Sequence, residues 1–226
     1  MKVLVTGGAG FIGSHIVHKL LAEGCDVAVV DNLATGSEDR IPSRCPLYKV
    51  DVAAGELAEV MAFEKPDYVI HQAAQADVQR SLHDPVGDAR TNVLGTVNVL
   101  AQCGQLGVKK LIYASSAAAY GHPGYLGIDE QHPAEPISFY GISKYMPEIY
   151  IRAFARLHGL KYVILRYANV YGIGQDPKSE GGVVSVFIDR LLRGEQPVIY
   201  GDGEQTRDFV YVSDVAEANV LALRRG

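Results

Sequence analysis

The stretch VLVTGGAGFIGSHIV, residues 3–17, decides the fold class of this chain. It passes from a short apolar run through a glycine-rich turn into an amphipathic run. Glycine weakens local structure, so its concentration at residues 7–13 needs a specific reason. We predict a strand at Lys2–Thr6 and a helix at Phe11–Glu23, with the glycines between them. The unpaired N–H groups and partial positive charge of a helix N-terminus suit a pyrophosphate.

The glycines spaced by three have separate expected roles. A Cβ at Gly7 or Gly10 would hold a phosphate away, and Gly13 lets the helix pack close to the sheet. Asp31 ends the second predicted strand, where a carboxylate accepts hydrogen bonds from an adenosine ribose and repels a 2′-phosphate. This strand–turn–helix context predicts a site for NAD rather than NADP, although the glycines alone equally fit a plain tight turn.

Composition limits the classes of protein that the chain can be. Its 226 residues are 48% hydrophobic and 21% charged, enough for a packed core in one large domain, or in one domain with a small lobe. The net charge of −5 argues against a general nucleic-acid or anionic-membrane binder. The three cysteines show neither metal spacing nor a disulfide framework. Because no apolar run resembles a signal peptide or approaches the roughly 20 residues of a membrane span, we expect a soluble, cytoplasmic protein.

Short apolar strands alternate with helical patterns as far as Tyr167. This alternation predicts an α/β fold with a doubly wound, Rossmann-like parallel sheet. We assign residues 1–167 to an NAD-binding domain and residues 168–226 to a partial substrate-binding lobe with returning segments. The other predicted strands are Asp26–Val30, Leu47–Val50, Asp67–Ile70, Lys110–Ala114 and Lys161–Arg166, and the other predicted helices are Val86–Leu106, Ser138–His158 and Val184–Arg193.

The segment FYGISKY, residues 139–145, places Tyr140 and Lys144 about one helical turn apart on one face. A phenol is a poor base at neutral pH, but a neighbouring ammonium and a nicotinamide cation favour the phenolate. Tyr140 can then take a proton from an alcohol while hydride leaves for the cofactor. The spacing alone would also fit an ordinary exposed helix.

The segment YASSAAAYG, residues 113–121, favours the catalytic interpretation. Ser115 and Ser116 lie at the end of the fifth predicted strand, directly after Ala114, and ligands of doubly wound sheets bind at the carboxyl ends of the strands. A serine hydroxyl there can bind the same reacting oxygen. A simple strand-end turn is the alternative.

These residues and their neighbours resemble the NAD-dependent sugar epimerase/dehydratase family, a group of extended short-chain dehydrogenases. The matching motifs fall in the family's order along the whole chain and are highly specific when taken together. The resemblance is strongest to members that interconvert UDP-glucose and UDP-galactose. The motifs are TGGAGFIG (6–13), DNLATG (31–36), DV (51–52), HQAAQ (71–75), N-x-x-G-T (92–96), SSAAAYG (115–121), YxxxK (140–144), LRYANVYG (165–172) and RDFVYVSDVA (207–216).

The resemblance implies a role for each matching residue. Tyr140 is implied as the catalytic base, Lys144 as the residue that holds the nicotinamide ribose, and Ser116 as the catalytic hydroxyl. The implied substrate-binding residues are Ser116, Asn169, Tyr200 and Arg207. Without the family resemblance, we would interpret Arg207 as a salt-bridged surface residue. No metal is implied. The implied NAD-binding residues are Gly7, Gly10, Phe11, Ile12, Gly13, Asp31, Asn32, Leu33, Thr35, Gly36, Asp51, Val52, Gln72, Ala73, Ala74, Gln75, Asn92, Tyr140, Lys144, Tyr167 and Ala168.

The reaction implied by the resemblance is epimerisation. Dehydratases of the family carry an Asp–Glu pair after the strand-five hydroxyl, whereas this chain has alanines at 117–119. We therefore expect NAD-dependent oxidation of a UDP-hexose at C4, turning of the keto sugar in the site, and return of hydride to the other face. The alternatives are an epimerase for a uronic acid or N-acetyl sugar, a simple dehydrogenase, or a non-catalytic NAD-binding module left by C-terminal truncation.

The chain departs from the family pattern in three places. Ala76 replaces a lysine after the HxAA motif, and the wall at 117–119 is small. The chain also stops at Gly226, where members normally continue with more of the substrate lobe, so we expect this length of chain to have weak activity. The resemblance further implies a homodimer, formed through the helices near 86–106 and 138–158.

Overall fold

The computed structural model describes residues 1–178 and 182–225. Its main sheet has six parallel strands in the order β3-β2-β1-β4-β5-β6. The order reverses between β1 and β4, which is the position where doubly wound sheets bind ligands. The doubly wound parallel sheet is thus as predicted. The strands are β1 (Lys2–Thr6), β2 (Asp26–Val30), β3 (Leu47–Tyr48), β4 (Tyr68–His71), β5 (Lys110–Ser116) and β6 (Lys161–Tyr167).

Helices cover the sheet, and a small second sheet lies beyond β6. That second sheet pairs two parallel strands, β7 (Asn169–Tyr171) and β8 (Phe209–Tyr211). The helices are α1 (Phe11–Ala22), α2 (Glu56–Glu64), α3 (Val78–His83), α4 (Pro85–Ala89), α5 (Gly95–Leu106), α6 (Phe139–His158), α7 (Val183–Leu192) and α8 (Val212–Arg224). None of the described helices is long and apolar enough to cross a membrane.

The core forms two layers because successive side chains of a strand point to opposite faces. Leu4 of β1 faces a layer that includes Leu100 of α5 and Ile151 of α6. Val3 and Val5 face the other layer, with residues of α1 and α8. Burial on both faces explains why the central strands are almost continuously apolar.

Several predicted boundaries were wrong. The predicted helix Val86–Leu106 is α4 and α5 joined by a π turn at Arg90–Leu94. Strand β5 extends two residues further than predicted, to Ser116, because it pairs with β6 along its whole length. Helix α2 was missed, since its sequence ELAEVMAFE is short and follows a loop.

The last helix belongs to the sheet domain. Helix α8 packs on α1, and Ala216, Val220 and Leu223 are buried in the same core layer as Val3. The buried Lys110 ammonium donates to the Ala222 and Leu223 carbonyls, which neutralises the C-terminal end of α8. Helix α8 therefore packs into the same core layer as β1 and α1, although it follows the small second sheet in the chain.

Candidate functional site

The glycine turn lies at the carboxyl edge of the sheet, between β1 and α1. Gly7 has φ +68°, and a Cβ there would lie 2.5 Å from the Ala73 backbone nitrogen. A Cβ on Gly13 would lie 2.0 Å from the Gly7 carbonyl oxygen. The backbone conformation of Gly7 and the neighbouring loop therefore require glycine there, in addition to the expected room for a phosphate. Gly10, at the N-cap of α1, keeps the helix N-terminus open.

Asp31 clamps this turn. Its side chain is buried, one carboxylate oxygen accepts from the Ala9 N–H at 2.9 Å, and the other accepts from the Leu33 N–H at 2.8 Å. Each carboxylate oxygen has a further lone pair, so the group can still accept a hydrogen bond from a ribose hydroxyl. Asn32 extends the same edge by donating to the Asp51 carboxylate at 3.1 Å.

An open cleft of about 390 Å³ runs along this edge. Most of the residues expected to bind NAD from the glycine turn and from the segments after β2, β3 and β4 meet in it: Gly7, Gly10, Asp31, Asn32, Thr35, Asp51, Val52, Gln72, Ala73, Ala74 and Gln75. Phe11, Ile12 and Gly13 form the first turn of α1, whose amides have no partner within the helix. Leu33 and Gly36 lie in the loop after β2, where a Cβ on Gly36 would approach Ala9 at 3.0 Å. A dinucleotide fits this set.

The same cleft is also lined by two cationic side chains that the sequence analysis did not single out. Arg80, in the first turn of α3, and Lys178 both contribute to its wall, together with Ala76. Ala76 occupies the position where the family pattern has a lysine. Arg80, four residues further along the chain, supplies a positive charge to the same cleft. The only sequence signal for Arg80 was its position just after the HQAAQ motif, and Lys178 had none.

Asn92 lies behind the cleft wall rather than on it. Its side chain is buried, accepts from the Gln75 N–H at 2.8 Å, and donates to the Gln75 carbonyl at 2.9 Å and to the Ser143 hydroxyl at 2.9 Å. Asn92 therefore holds the loop that lines the cleft and ties that loop to α6. The Gln75 amide also turns inward, donating to the Asp88 carboxylate at 2.8 Å.

A second buried network lies under the β4 loop. Thr6 Oγ1 lies 2.6 Å from His71 Nδ1, and His71 Nε2 lies 2.9 Å from Thr96 Oγ1. Because Thr96 donates its own hydroxyl proton to the Asn92 carbonyl, Nε2 carries the histidine proton and Nδ1 accepts from Thr6. Burial lowers the pKa of His71 to about 3, so the ring is neutral.

Tyr140 and Lys144 share a face of α6, which is N-capped by the Ser138 side chain. The Tyr140 N–H donates to the Ser81 hydroxyl at 3.2 Å, which anchors the first turn of α6 to α3. Lys144 is buried, and its ammonium nitrogen lies 4.9 Å from the centroid of the Tyr113 ring. Burial lowers the pKa of Lys144 to about 8.

The two serines at the end of β5 differ in burial and in hydrogen-bond partners. Ser115 is buried and donates its hydroxyl proton to the Glu148 carboxylate at 2.6 Å, so it faces the core. Ser116 is only half-buried, and its Oγ accepts from the Ala118 N–H at 3.1 Å at the start of a 3₁₀ turn. That turn packs on Gly141, beside Tyr140. Of the two, Ser116 is the hydroxyl that a ligand can reach.

Tyr167 is held from two sides at the end of β6. Its hydroxyl accepts from the Gln72 amide at 3.0 Å and from the Asn219 amide at 2.7 Å. Burial raises the pKa of Tyr167 to about 12. Tyr167 thus joins the cleft-lining loop to α8, and Ala168 follows it at the strand end.

The expected substrate residues lie beyond the cleft. Asn169 donates its side-chain amide to the Asp208 carbonyl at 3.1 Å, which places it beside Arg207 across the β7–β8 pair. The Arg207 guanidinium donates to the Thr206 carbonyl at 2.7 Å and is exposed. The Tyr200 side chain is 81% exposed. Within 1–178 and 182–225, none of these three residues lines the cofactor cleft.

A family model described as "NAD dependent epimerase/dehydratase family" matches residues 3–226. The chain belongs to this family. It is an NAD-dependent epimerase, as the motifs predicted, and the glycine turn, Asp31 and the cleft are the parts of the chain suited to NAD.

Solved structures of the family superpose closely on the chain. The UDP-glucose 4-epimerase of Thermotoga maritima with UDP-glucose is 47% identical, with a TM-score of 0.97 over 100% of this chain and 74% of its own. The Thermus thermophilus UDP-glucose 4-epimerase with NAD is also 47% identical, with a TM-score of 0.95 over 100% and 75%. The UDP-N-acetylglucosamine 4-epimerase of Methanobrevibacter ruminantium M1, in complex with UDP-N-acetylmuramic acid, is 38% identical, with a TM-score of 0.94 over 99% and 73%.

Proposed function

We propose that this epimerase interconverts UDP-glucose and UDP-galactose by oxidation at C4 and return of hydride to the opposite face. One observation carries the proposal. Ser116, whose hydroxyl a ligand can reach, is the last residue of β5 and lies beside the first turn of α6, and Tyr140 and Lys144 share a face of that helix. The Tyr140 N–H donates to Ser81, the residue that follows the cleft-lining Arg80, so α6 begins next to the cleft suited to NAD. The similarity to two UDP-glucose 4-epimerases supports the choice of sugar.

Each residue has a definite part in the proposed chemistry. Ser116 hydrogen-bonds the C4 oxygen, Tyr140 accepts its proton and later returns it, and the Lys144 ammonium stabilises the tyrosine oxygen when it is negative. NAD, when bound, accepts hydride from C4 and gives it back. Because the alanines at 117–119 bring no carboxylate to this place, no group there removes a second proton for dehydration.

Residues 168–211 are proposed to hold the nucleotide part of the substrate. Asn169 and Arg207 lie together at the β7–β8 pair and present an amide and a guanidinium. A guanidinium suits a diphosphate because it offers a planar fork of donors. Tyr200 stands exposed in the same region. Holding the substrate by its nucleotide leaves the sugar free to turn. We propose the division at residue 167 on this basis.

An N-acetyl-hexose is the second candidate substrate. The Methanobrevibacter relative is named for UDP-N-acetylglucosamine and matches the chain almost as well as the UDP-glucose enzymes. A site that accepts the larger substituent at C2 would turn over both sugars, so a direct comparison of the two UDP-sugars separates these candidates.

We also propose a homodimer formed through α5 and α6. Large apolar side chains are exposed along the predicted surface, among them Leu94 on the approach to α5 and Ile142, Met146 and Ile149 on α6. Ile142, Met146 and Ile149 recur at three- and four-residue spacing, which forms one apolar stripe. Sedimentation of the Met146→Glu variant beside the unmodified chain tests this, since a charge in the stripe would dissociate the dimer.

The decisive experiment incubates the purified chain with NAD and UDP-galactose and measures UDP-glucose. Absorbance of the reduced nicotinamide is followed in the same sample. An epimerase forms UDP-glucose without stoichiometric NADH, a simple dehydrogenase accumulates NADH without UDP-glucose, and a non-catalytic module does neither. The Tyr140→Phe variant is the matched control for contaminating activity.

A further inference from the structure

Asp88 is a buried carboxylate with half of its hydrogen-bonding capacity unused. It lies in α4 and is 1% exposed. Its Oδ1 accepts from the Gln75 amide at 2.8 Å and from the Asn92 amide at 3.2 Å. Its Oδ2 is buried and has no hydrogen-bond partner among the described residues.

The charge of Asp88 is also uncompensated by a direct ion pair. Across residues 1–178 and 182–225, no cationic side chain forms a salt bridge with it. Glu148, the other buried acid near the site, is different, because Arg166 donates to both of its oxygens, at 2.9 and 2.7 Å. Burying a carboxylate without an ion-pair partner costs folding free energy, so we expect a nearby charge that offsets this cost.

The buried ammonium of Lys144 is the positive charge that interacts with the Asp88 carboxylate. Helix α4 packs on α6, and Asn92 lies between the two helices. Its amide nitrogen lies 3.2 Å from the Asp88 carboxylate and 2.9 Å from the hydroxyl of Ser143, the residue before Lys144. The titratable and charged groups that face Lys144 are Asp88 from α4, Glu148 and Tyr140 from its own helix, Tyr113 from β5 and neutral His71 from β4.

Of these groups, only Asp88 brings a negative charge not already neutralised by arginine. Burial lowers the pKa of Lys144, while the charge of Asp88 and, to a lesser extent, that of Glu148 raise it. An ammonium that must stabilise a tyrosine oxygen needs to stay protonated in this dry surrounding.

We propose that Asp88 is a positioning residue of the epimerase: its carboxylate keeps the Lys144 side chain charged and, through Asn92 and Gln75, holds the cofactor-facing loop. The inference rests on the proposed role of Lys144 beside Tyr140. Asp88 itself does not touch the cleft and is not a catalytic residue.

The test reads the charge of Lys144 directly. In protein labelled with 13C-lysine and free of nucleotide, the Cε resonance of Lys144 is assigned by its loss in Lys144→Met, and its shift is followed against pH. In Asp88→Asn the titration midpoint falls by about one pH unit, and Asp88→Glu restores it. The control Glu59→Gln removes an exposed charge from α2 and leaves the midpoint in place.

An unchanged midpoint in Asp88→Asn, or an equal fall in Glu59→Gln, overturns the proposal. Should Asp88→Asn fail to fold, the unfolding of Lys144→Met is compared with that of the double variant Lys144→Met/Asp88→Asn. Recovery of stability in the double variant supports the pairing of the two charges, and lack of recovery refutes it. Both measurements use protein without sugar, so an inactive chain with a normal titration would count against the proposed function alone.

Discussion

The Asn219 side-chain amide donates to the Tyr167 hydroxyl at 2.7 Å and thereby fastens α8 to the carboxyl end of β6. Asn219 is fully buried, and its amide also donates to the Val215 carbonyl at 2.8 Å. The same hydroxyl accepts from Gln72, which lines the cofactor cleft. Through Tyr167 and Gln72, Asn219 of α8 thus helps to set the wall of the cleft.

Replacing Asn219 with Leu should destabilise the fold and weaken NAD binding. The variant leaves the buried Tyr167 hydroxyl with one donor fewer, which costs about 1–3 kcal/mol. In Tyr167→Phe/Asn219→Leu that penalty should be partly relieved, because the hydroxyl that lost a donor is no longer present. Urea unfolding of the two single variants and the double variant measures the coupling. Strictly additive losses would show that the contact contributes nothing of its own.

Asp31 should determine the preference for NAD over NADP. Asp31→Ser removes the carboxylate that repels a 2′-phosphate, so NAD binding weakens and the penalty on NADP falls. Because Asp31 also clamps the Ala9 and Leu33 amides, some loss of stability is expected as well. Calorimetric titration with both cofactors measures the ratio. Asp26→Asn, an exposed change at the start of the same strand, is the control, and equal affinity of the unmodified chain for NAD and NADP would refute the argument.

Arg80 should strengthen cofactor binding through its charge. Among the described residues, the carboxylates of Asp31, Asp51 and Asp77 line the cleft, and the cations there are Arg80 and Lys178. Arg80→Ala should raise the Kd for NAD about 3- to 10-fold, with the larger effect at low salt, since the side chain is exposed and screened. Lys161→Ala, at the far end of β6, controls for net charge. A salt-independent loss would point to altered α3 packing instead.

Tyr140→Phe should abolish turnover while leaving the fold and NAD binding intact. The change removes the oxygen that we propose accepts the substrate proton, and it keeps the ring. General acid–base groups contribute about a hundred- to ten-thousand-fold in rate, and we expect a loss of kcat on that scale. Steady-state kinetics with UDP-galactose measure it, with the Kd for NAD as the control. Near-normal kcat would move the base elsewhere.

His71 should make the fold sensitive to acid. Its pKa in the folded chain is about 3 against an ordinary 6.5, because burial disfavours the charged ring. Between these values the unfolded chain binds one more proton, so the free energy of unfolding falls as pH falls through this window, by up to about 1.4 kcal/mol per pH unit. In His71→Gln this dependence of the free energy of unfolding on pH should disappear, whatever the stability of the variant at pH 7. The matched variant is His83→Gln, an exposed histidine, and an identical pH slope in His71→Gln and the unmodified chain would contradict the assignment.

Much of the fold was predictable because its signals are local. Strand, glycine turn and helix follow one another within residues 2–22, and the Tyr140–Lys144 spacing needs only the geometry of a single helix. The π turn at Arg90–Leu94 and the length of β5 were not predictable in this way. They depend on pairing and packing partners that lie elsewhere in the chain.

The sequence by itself determined the α/β class, the dinucleotide turn, the acid at the end of β2 and the pair on α6, since each is encoded by residue type at short spacing. Only the tertiary structure decided that Ser115 faces Glu148 while Ser116 stays reachable, and that Arg80 lines the cofactor cleft. It also decided that an unpaired carboxylate lies in the surroundings of the Lys144 ammonium. The physical reason is that burial and electrostatic partnership arise between elements far apart in the chain, where no short-range pattern records them.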